Sequence, residues 1–182
     1  PDTIQERYRE IAMGLRRPVF QLGFKLEPRE RNLQEKLAME LLMDLWAGES
    51  SPFFLEAYEK DLLDVPLERM YSCGNGFAFC AFMGSGEQAE ETAELLLTHW
   101  KRLKQNGIDE NHFRRLQKKA VGQTLRLFQS ISAIGLTQIE LTPFDADLSD
   151  LFRLTKELHK KDLEKLLQNT IVQDKMVLSV MR

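Results

Sequence analysis

The sequence predicts one α+β domain, a mainly antiparallel sheet with helices packed on one face, related to the split βαβ plan. Three stretches carry that expectation. Val19 to Leu26 alternates strictly, which puts Phe20, Leu22, Phe24 and Leu26 on one face of a half-buried strand. Leu33, Leu37, Leu41 and Leu45 recur every four residues with Ala38, Leu42 and Trp46 beside them, the apolar stripe of a helix. The run ERMYSCGNGFAFCAFMG, starting at Glu68, reads as a hairpin turned at Asn75-Gly76.

The remaining elements follow in order. Residues 1–17 read as a polar lead-in or linker closed by Arg16-Arg17-Pro18. Pro28 with Arg29, Glu30 and Arg31 opens the Leu33 helix, and Gly48 stands where a C-terminal cap belongs. Pro52 restarts a short helix through Tyr58. Phe77 to Met83 is apolar on both faces, so that strand is placed centrally in the sheet. A helix over 87–105 buries Ala89, Ala93, Leu96, Trp100 and Leu103, and Asn106-Gly107 ends it. Asp109 then caps another helix, with Ile108 and Phe113 spaced as a hydrophobic staple. That helix runs past Leu127 with a break near Gly135. Pro143 to Asp150 reads as a loop, 160–169 as a short helix and Lys175 to Met181 as a closing strand. No internal repeat or low-complexity tract interrupts the chain.

Composition narrows the function classes. The 182 residues carry a formal charge of -3, which offers no basic footprint for nucleic acid. No apolar run reaches the roughly 18 residues of a membrane span. Two cysteines are too few for a disulfide scaffold, so a reducing, cytoplasmic setting is expected. The chain reads without a signal peptide, and its opening at Pro1 leads us to expect a fragment of a longer protein, with a single domain over 18–182.

No catalytic set stands out. Gly48-Glu49-Ser50-Ser51-Pro52 falls one residue short of the Gly-x-Ser-x-Gly elbow, but a helix precedes it and Pro52 replaces the final Gly. Ser50 and Ser51 are therefore expected to cap or turn the chain. Cys73 and Cys80 are expected in the core or on the sheet face. A two-residue turn at 75–76 would pair Cys73 with Ala78 instead of Cys80. His99 and His112 are expected at the surface, and no His has a second ligand at metal spacing. Asp145 to Asp150 begins like a calcium loop but has Asp150 where Gly is needed and Lys156 where Glu is needed. No glycine-rich phosphate loop occurs, and Lys118-Lys119 and Lys160-Lys161 are isolated pairs.

Several segments in order resemble a known family. RRPVFQLGFKL with its helix, then GESSPFFLEAYEKDLL, then GEQAEETAELLLTHWKRLKQNGIDENHFRRLQKKAVGQTLRLFQS, and finally HKKDLEKLLQNTIVQDKMVLSVM look like the non-catalytic C-terminal half of M16 (insulinase- and pitrilysin-type) zinc peptidases. The nearest flavour is the bacterial processing-peptidase-like branch, and the likeness runs from about residue 18 to the end. It implies a two-layer α+β fold and a half that encloses a peptide substrate. Zinc is then expected in a missing N-terminal half, as part of the same chain or as a partner subunit, and no cofactor is expected in this one. The isolated chain is expected to be inactive. The alternative is a degenerate M16-like scaffold that assembles proteins or binds peptides. The family's substrate-contacting Arg and Tyr fall on Tyr58 and Val65, with Arg69 or Tyr71 as substitutes from the next strand. The substrate-binding candidates are thus Tyr58, Arg69 and Tyr71, with the edge of the sheet as a further peptide site.

Overall fold

The computed structural model describes residues 4–74, 76–171 and 173–182. Its strands are β1 (Tyr8–Ile11), β2 (Val19–Lys25), β3 (Glu68–Gly74), β4 (Phe77–Ser85) and β5 (Met176–Met181). Its α-helices are α1 (Leu33–Ala47), α2 (Pro52–Glu59), α3 (Ala89–Asn106), α4 (Glu110–Leu127), α5 (Ile131–Leu141), α6 (Leu148–Glu157) and α7 (Lys160–Asn169). The five strands form one sheet in the order β1-β5-β2-β4-β3, antiparallel except where β1 meets β5.

Alternation decides which face of the sheet meets the helices. Phe20, Leu22 and Phe24 are buried, and register sets Cys80 and Phe82 of β4 beside Phe24 and Leu22. Trp46 of α1 joins this face to the helices. Its ring lies 4.6 Å from Phe82, 5.5 Å from Phe24 and 4.4 Å from Trp100 of α3, and its indole N–H donates to the Leu96 carbonyl at 2.8 Å. An indole buried with its one donor satisfied adds area without a polar penalty.

The hairpin forms with Gly74 opposite Phe77 and Cys73 opposite Ala78, so the connection is two residues long. Gly76 takes a φ of +86°, which a glycine adopts without steric cost. Asn75 lies outside the described residues. The apolar strand β4 is an interior strand, and the open edges belong to β1 and β3.

Four boundaries differ from the sequence reading. Helix α1 begins after Asn32 and not at Pro28, because Asn32 and Glu35 close a capping box: the Glu35 amide donates to Asn32 Oδ1 at 2.9 Å. The break after α4 falls at Phe128 to Ser130, where Ser130 Oγ accepts from the Ala133 amide, and Gly135 lies within α5. The segment read as a loop up to Asp150 starts a helix at Leu148. Asp147 caps it by accepting from the Ser149 and Asp150 amides at 2.7 and 2.9 Å. Of the aspartates that mimicked a calcium loop, Asp147 and Asp150 close a capping box on this helix, and Asp145 turns the chain with a φ of +50°. Within residues 1–17 the structure adds β1. All four of its residues are exposed, so no apolar alternation announces it. Main-chain pairing to β5 holds it, and the Tyr8 hydroxyl donates to Glu90 of α3 at 2.8 Å.

Candidate functional site

Asp44 lies one turn before the end of α1, on the flank of the leucine stripe that looks toward β3 and α4. Its carboxylate accepts from Lys119 of α4 at 3.2 Å and pairs with the Arg69 guanidinium of β3 at 2.9 Å, the latter an ion pair without an aligned hydrogen bond. Arg69 Nη1 donates to the Leu67 carbonyl at 2.9 Å. Two residues on, and therefore on the same face of β3, stands Tyr71. It is buried, and that burial, followed by its neighbour Cys73, pushes its hydroxyl pKa up. Together these groups line a cavity of about 740 Å³ between α1, β3, α4 and the α5–α6 segment, with Lys36 and Thr155 on its walls. The cavity opens beside an edge strand, the geometry in which an extended peptide can add main-chain hydrogen bonds and place side chains in an adjacent pocket.

The structure thus brings Arg69 and Tyr71 together and leaves Tyr58 apart. Tyr58 projects from α2 with 59% exposure, its ring 6.1 Å from Phe54, and does not line that cavity. Val65 is also exposed. Two residues before Tyr58, and so on the other side of α2, Glu56 accepts from Lys60 at 2.7 Å and Arg102 at 2.9 Å, and meets His99 Nε2 at 2.8 Å. Lys60, then His99 and Arg102, lower the Glu56 pKa to about 2. His99 was expected at the surface. It is buried, because α2 packs across α3 and supplies both the Glu56 carboxylate and the edge of Phe53.

Ser51 is fully buried and caps α2, its Oγ accepting from the Phe54 amide at 3.1 Å. Ser50 is exposed, and its Oγ lies 3.1 Å from His112 Nε2, a proximity across 62 residues that spacing could not foretell. Burial, then the charge of Arg115, lowers the His112 pKa, so the ring is neutral at pH 7 and can accept the serine proton. A working nucleophile pair also needs a group that orients the imidazole. Among the described residues, His112 has no side-chain partner besides Ser50. Cys73 and Cys80 are free thiols on the helix side of the sheet, and burial pushes the Cys80 thiol up.

Zinc requires three protein ligands converging on one point. Among the described residues no group of three or more His, Cys, Asp or Glu side chains is arranged to hold a metal ion. His99 and His112 are engaged by Glu56 and Ser50, and the residues present do not fit a zinc site.

Comparison with known proteins agrees with this geometry. Residues 1–120 match the family model described as the Peptidase M16 inactive domain. The uncharacterized zinc protease YmfH of Bacillus subtilis is 22% identical over 179 residues, which is 96% of this chain and 42% of that protein. An M16-like peptidase from Alicyclobacillus acidocaldarius superposes with a TM-score of 0.88 at 21% identity, over 100% of this chain and 44% of the other. The peptidase M16 inactive domain from Pseudomonas fluorescens superposes at 0.73 with 16% identity, over 100% and 44%. The chain spans less than half the length of each of these relatives. A family match over residues 1–120, carried on a two-layer fold, places this chain in the Peptidase M16 inactive-domain family.

Proposed function

We propose that this domain is the substrate-enclosing half of an M16-like zinc peptidase. It holds no metal and closes over a companion half, on the same polypeptide or a partner subunit, in which the zinc resides. One observation carries the reading: an inactive-domain fold that matches 42% of a protein named as a zinc protease. A peptide on this half would lie along the free edge of β3, with a side chain in the cavity beside Arg69 and Tyr71. The Arg69 charge is spent on Asp44, so peptide recognition there rests on main-chain pairing and apolar contact. Tyr58, exposed on α2, would meet the substrate separately, through a hydroxyl able to donate to a peptide carbonyl. A cytoplasmic setting, in which Cys73 and Cys80 stay reduced, belongs to the same proposal.

The second reading is a degenerate M16-like domain that assembles proteins. Tyr58 favours it, since this neutral residue stands where the resemblance expects a fixed positive charge. Zinc content and cleavage of a quenched peptide library separate the two, measured on this chain alone and on the intact protein that contains or pairs with it. The peptidase reading expects the chain to be metal-free and inert and the intact protein to hold zinc and cut peptides. An intact protein that is inert and metal-free supports the scaffold. Hydrolysis by the isolated chain would overturn both.

A further inference from the structure

Lys118 and the pair Lys160-Lys161 stand far apart in the chain, and the fold brings them to one place. A second cavity, of about 730 Å³, lies where the first half of α4 meets the turn from α6 into α7. Arg114 and Lys118 line it from α4, Lys156 from the end of α6, and Lys160, Lys161 and Lys165 from α7. Two carboxylates, Glu110 and Asp162, stand against these six cations, which leaves an excess of four positive charges in a chain whose formal total is -3.

Helical spacing aims the lysines. Lys118 follows Arg114 by four residues and Lys165 follows Lys161 by four, so each pair shares one face of its helix. Phe113, Leu116, Leu163 and Leu167 take the buried faces. The half-buried Gln117 joins the elements: its amide reaches the carbonyls of Thr155, Lys156 and Leu158 at 3.2, 3.0 and 2.8 Å and so holds the end of α6 on α4. Both carboxylates are already engaged. Glu110 accepts from Arg114 at 2.9 Å and lies 3.9 Å from Lys160 Nζ, which also meets Glu164 at 3.3 Å. Asp162 accepts from the His159 amide at 3.0 Å at the start of α7. Among the described residues, Lys118, Lys156, Lys161 and Lys165 form no ion pair, and all four are exposed. Like charges gathered on low-dielectric walls repel one another and focus their field into the space between them.

We propose that this cavity is a binding site for a compact anion carrying two or more phosphate groups. Lysines supply the unpaired charge, and an ammonium holds phosphate as a point charge without the bidentate geometry of a guanidinium. Each phosphate monoester carries about −1.5 to −2 charges at pH 7, so two of them neutralise an excess that one or two carboxylates would leave standing. The space is concave and of small-molecule size, unlike the extended groove that an acidic peptide occupies. Its apolar walls, Phe113 and Leu158, are only 4% and 2% exposed, so no open ring offers a nucleic-acid base a stacking platform. Recognition is by charge, whether the phosphates belong to a free anion or to a phosphorylated lipid headgroup. The site stands whether the domain serves a peptidase or a scaffold.

The test is isothermal titration of the intact protein that contains or pairs with this chain, with inorganic tripolyphosphate as the probe. Saturable binding is expected, fading as salt rises toward about 1 M, where the screening length falls to about 3 Å. Lys118→Gln with Lys165→Gln is expected to weaken it at least about tenfold. Lys25→Gln with Lys101→Gln removes the same charge from other surfaces and is expected to weaken it less than about twofold. The four side chains are exposed and unpaired, so neither double variant is expected to lower the melting temperature of the ligand-free protein. ATP is expected to bind as tightly as tripolyphosphate, since nothing in the cavity reads a base. Phosphatidylcholine vesicles containing phosphatidylinositol bisphosphate separate the two sources. Binding to both probes, each weakened by the Lys118 and Lys165 changes, supports a site open to headgroups; binding to tripolyphosphate alone supports a site for free anions. Binding to vesicles alone, tighter binding of a polyglutamate peptide, equal weakening by the two double variants, or no binding would overturn the proposal.

Discussion

Glu56 concentrates more charge than any other side chain near α2. One carboxylate answers Lys60, His99 and Arg102, and these hold its pKa at about 2, below the ordinary 4.5. A carboxylate with a depressed folded-state pKa stabilises the fold above its unfolded pKa and loses that contribution as pH falls through the folded value. The stability gap between this protein and Glu56→Gln is therefore expected to be full at pH 7, to shrink between about pH 4.5 and pH 2, and to vanish below that. Urea midpoints of both proteins at several pH values check this, and a gap that widens on acidification would refute it. The neighbouring serines separate by burial. Ser51→Ala removes a buried cap and is expected to cost about 1 kcal/mol. Ser50→Ala removes an exposed bond to His112 and is expected to cost less, with no loss of any hydrolysis by the intact protein. Inactivation by Ser50→Ala with folding intact would make the Ser50–His112 pair a catalytic one.

At the scale of elements, the ends of α2 show how local chemistry sets direction. Pro52 follows the Ser51 cap at the first helical position, where its missing N–H and fixed φ cost nothing. Past the other end, Asp61 adopts a φ of +56°, the left-handed conformation that usually takes glycine after a helix. Asp61→Gly relieves that strain against a small gain in unfolded-chain entropy. It is expected to stabilise the domain by about 0.5 kcal/mol, read as a rise of about 1–2 °C in thermal midpoint. A fall would show that the Asp61 side chain does more than tolerate its backbone. The turn matters because it redirects the chain from α2, which carries Tyr58, into β3, which carries Arg69 and Tyr71.

The whole molecule depends on one seam, where α1 and α3 lie against the sheet. Trp46 occupies it, in contact with Phe24, Phe82 and Trp100. Trp46→Ala removes those contacts and leaves the Leu96 carbonyl without its donor. The expected loss is about 3–5 kcal/mol, a large share of the 5–15 kcal/mol typical of a domain. Loss of cooperative unfolding, or a midpoint near room temperature by circular dichroism, is the expected readout. A near-normal midpoint would mean that the seam closes over the gap. The same seam gives the sheet its two unlike faces, one sealed by helices and one without them.

Much of this architecture was legible before folding because its causes are local. The period of two at Phe20, Leu22 and Phe24, the period of four at Leu33 to Leu45 and the turn at 75–76 each act over a few residues, and the structure keeps all three. The strand β1 was not legible, since main-chain pairing to a distant strand leaves no apolar rhythm to read; the helix opening at Asp147 has such a rhythm in Leu148, Leu151 and Leu154, but the aspartates before it read as a loop. The partnerships that shape the candidate site were the least visible. Asp44 with Arg69 and Lys119, Glu56 with His99, and Ser50 with His112 join residues 25 to 75 positions apart. Periodicity reports which face a side chain occupies, but it cannot report which distant charge will be packed against it; that is decided when helices and sheet close around a common core.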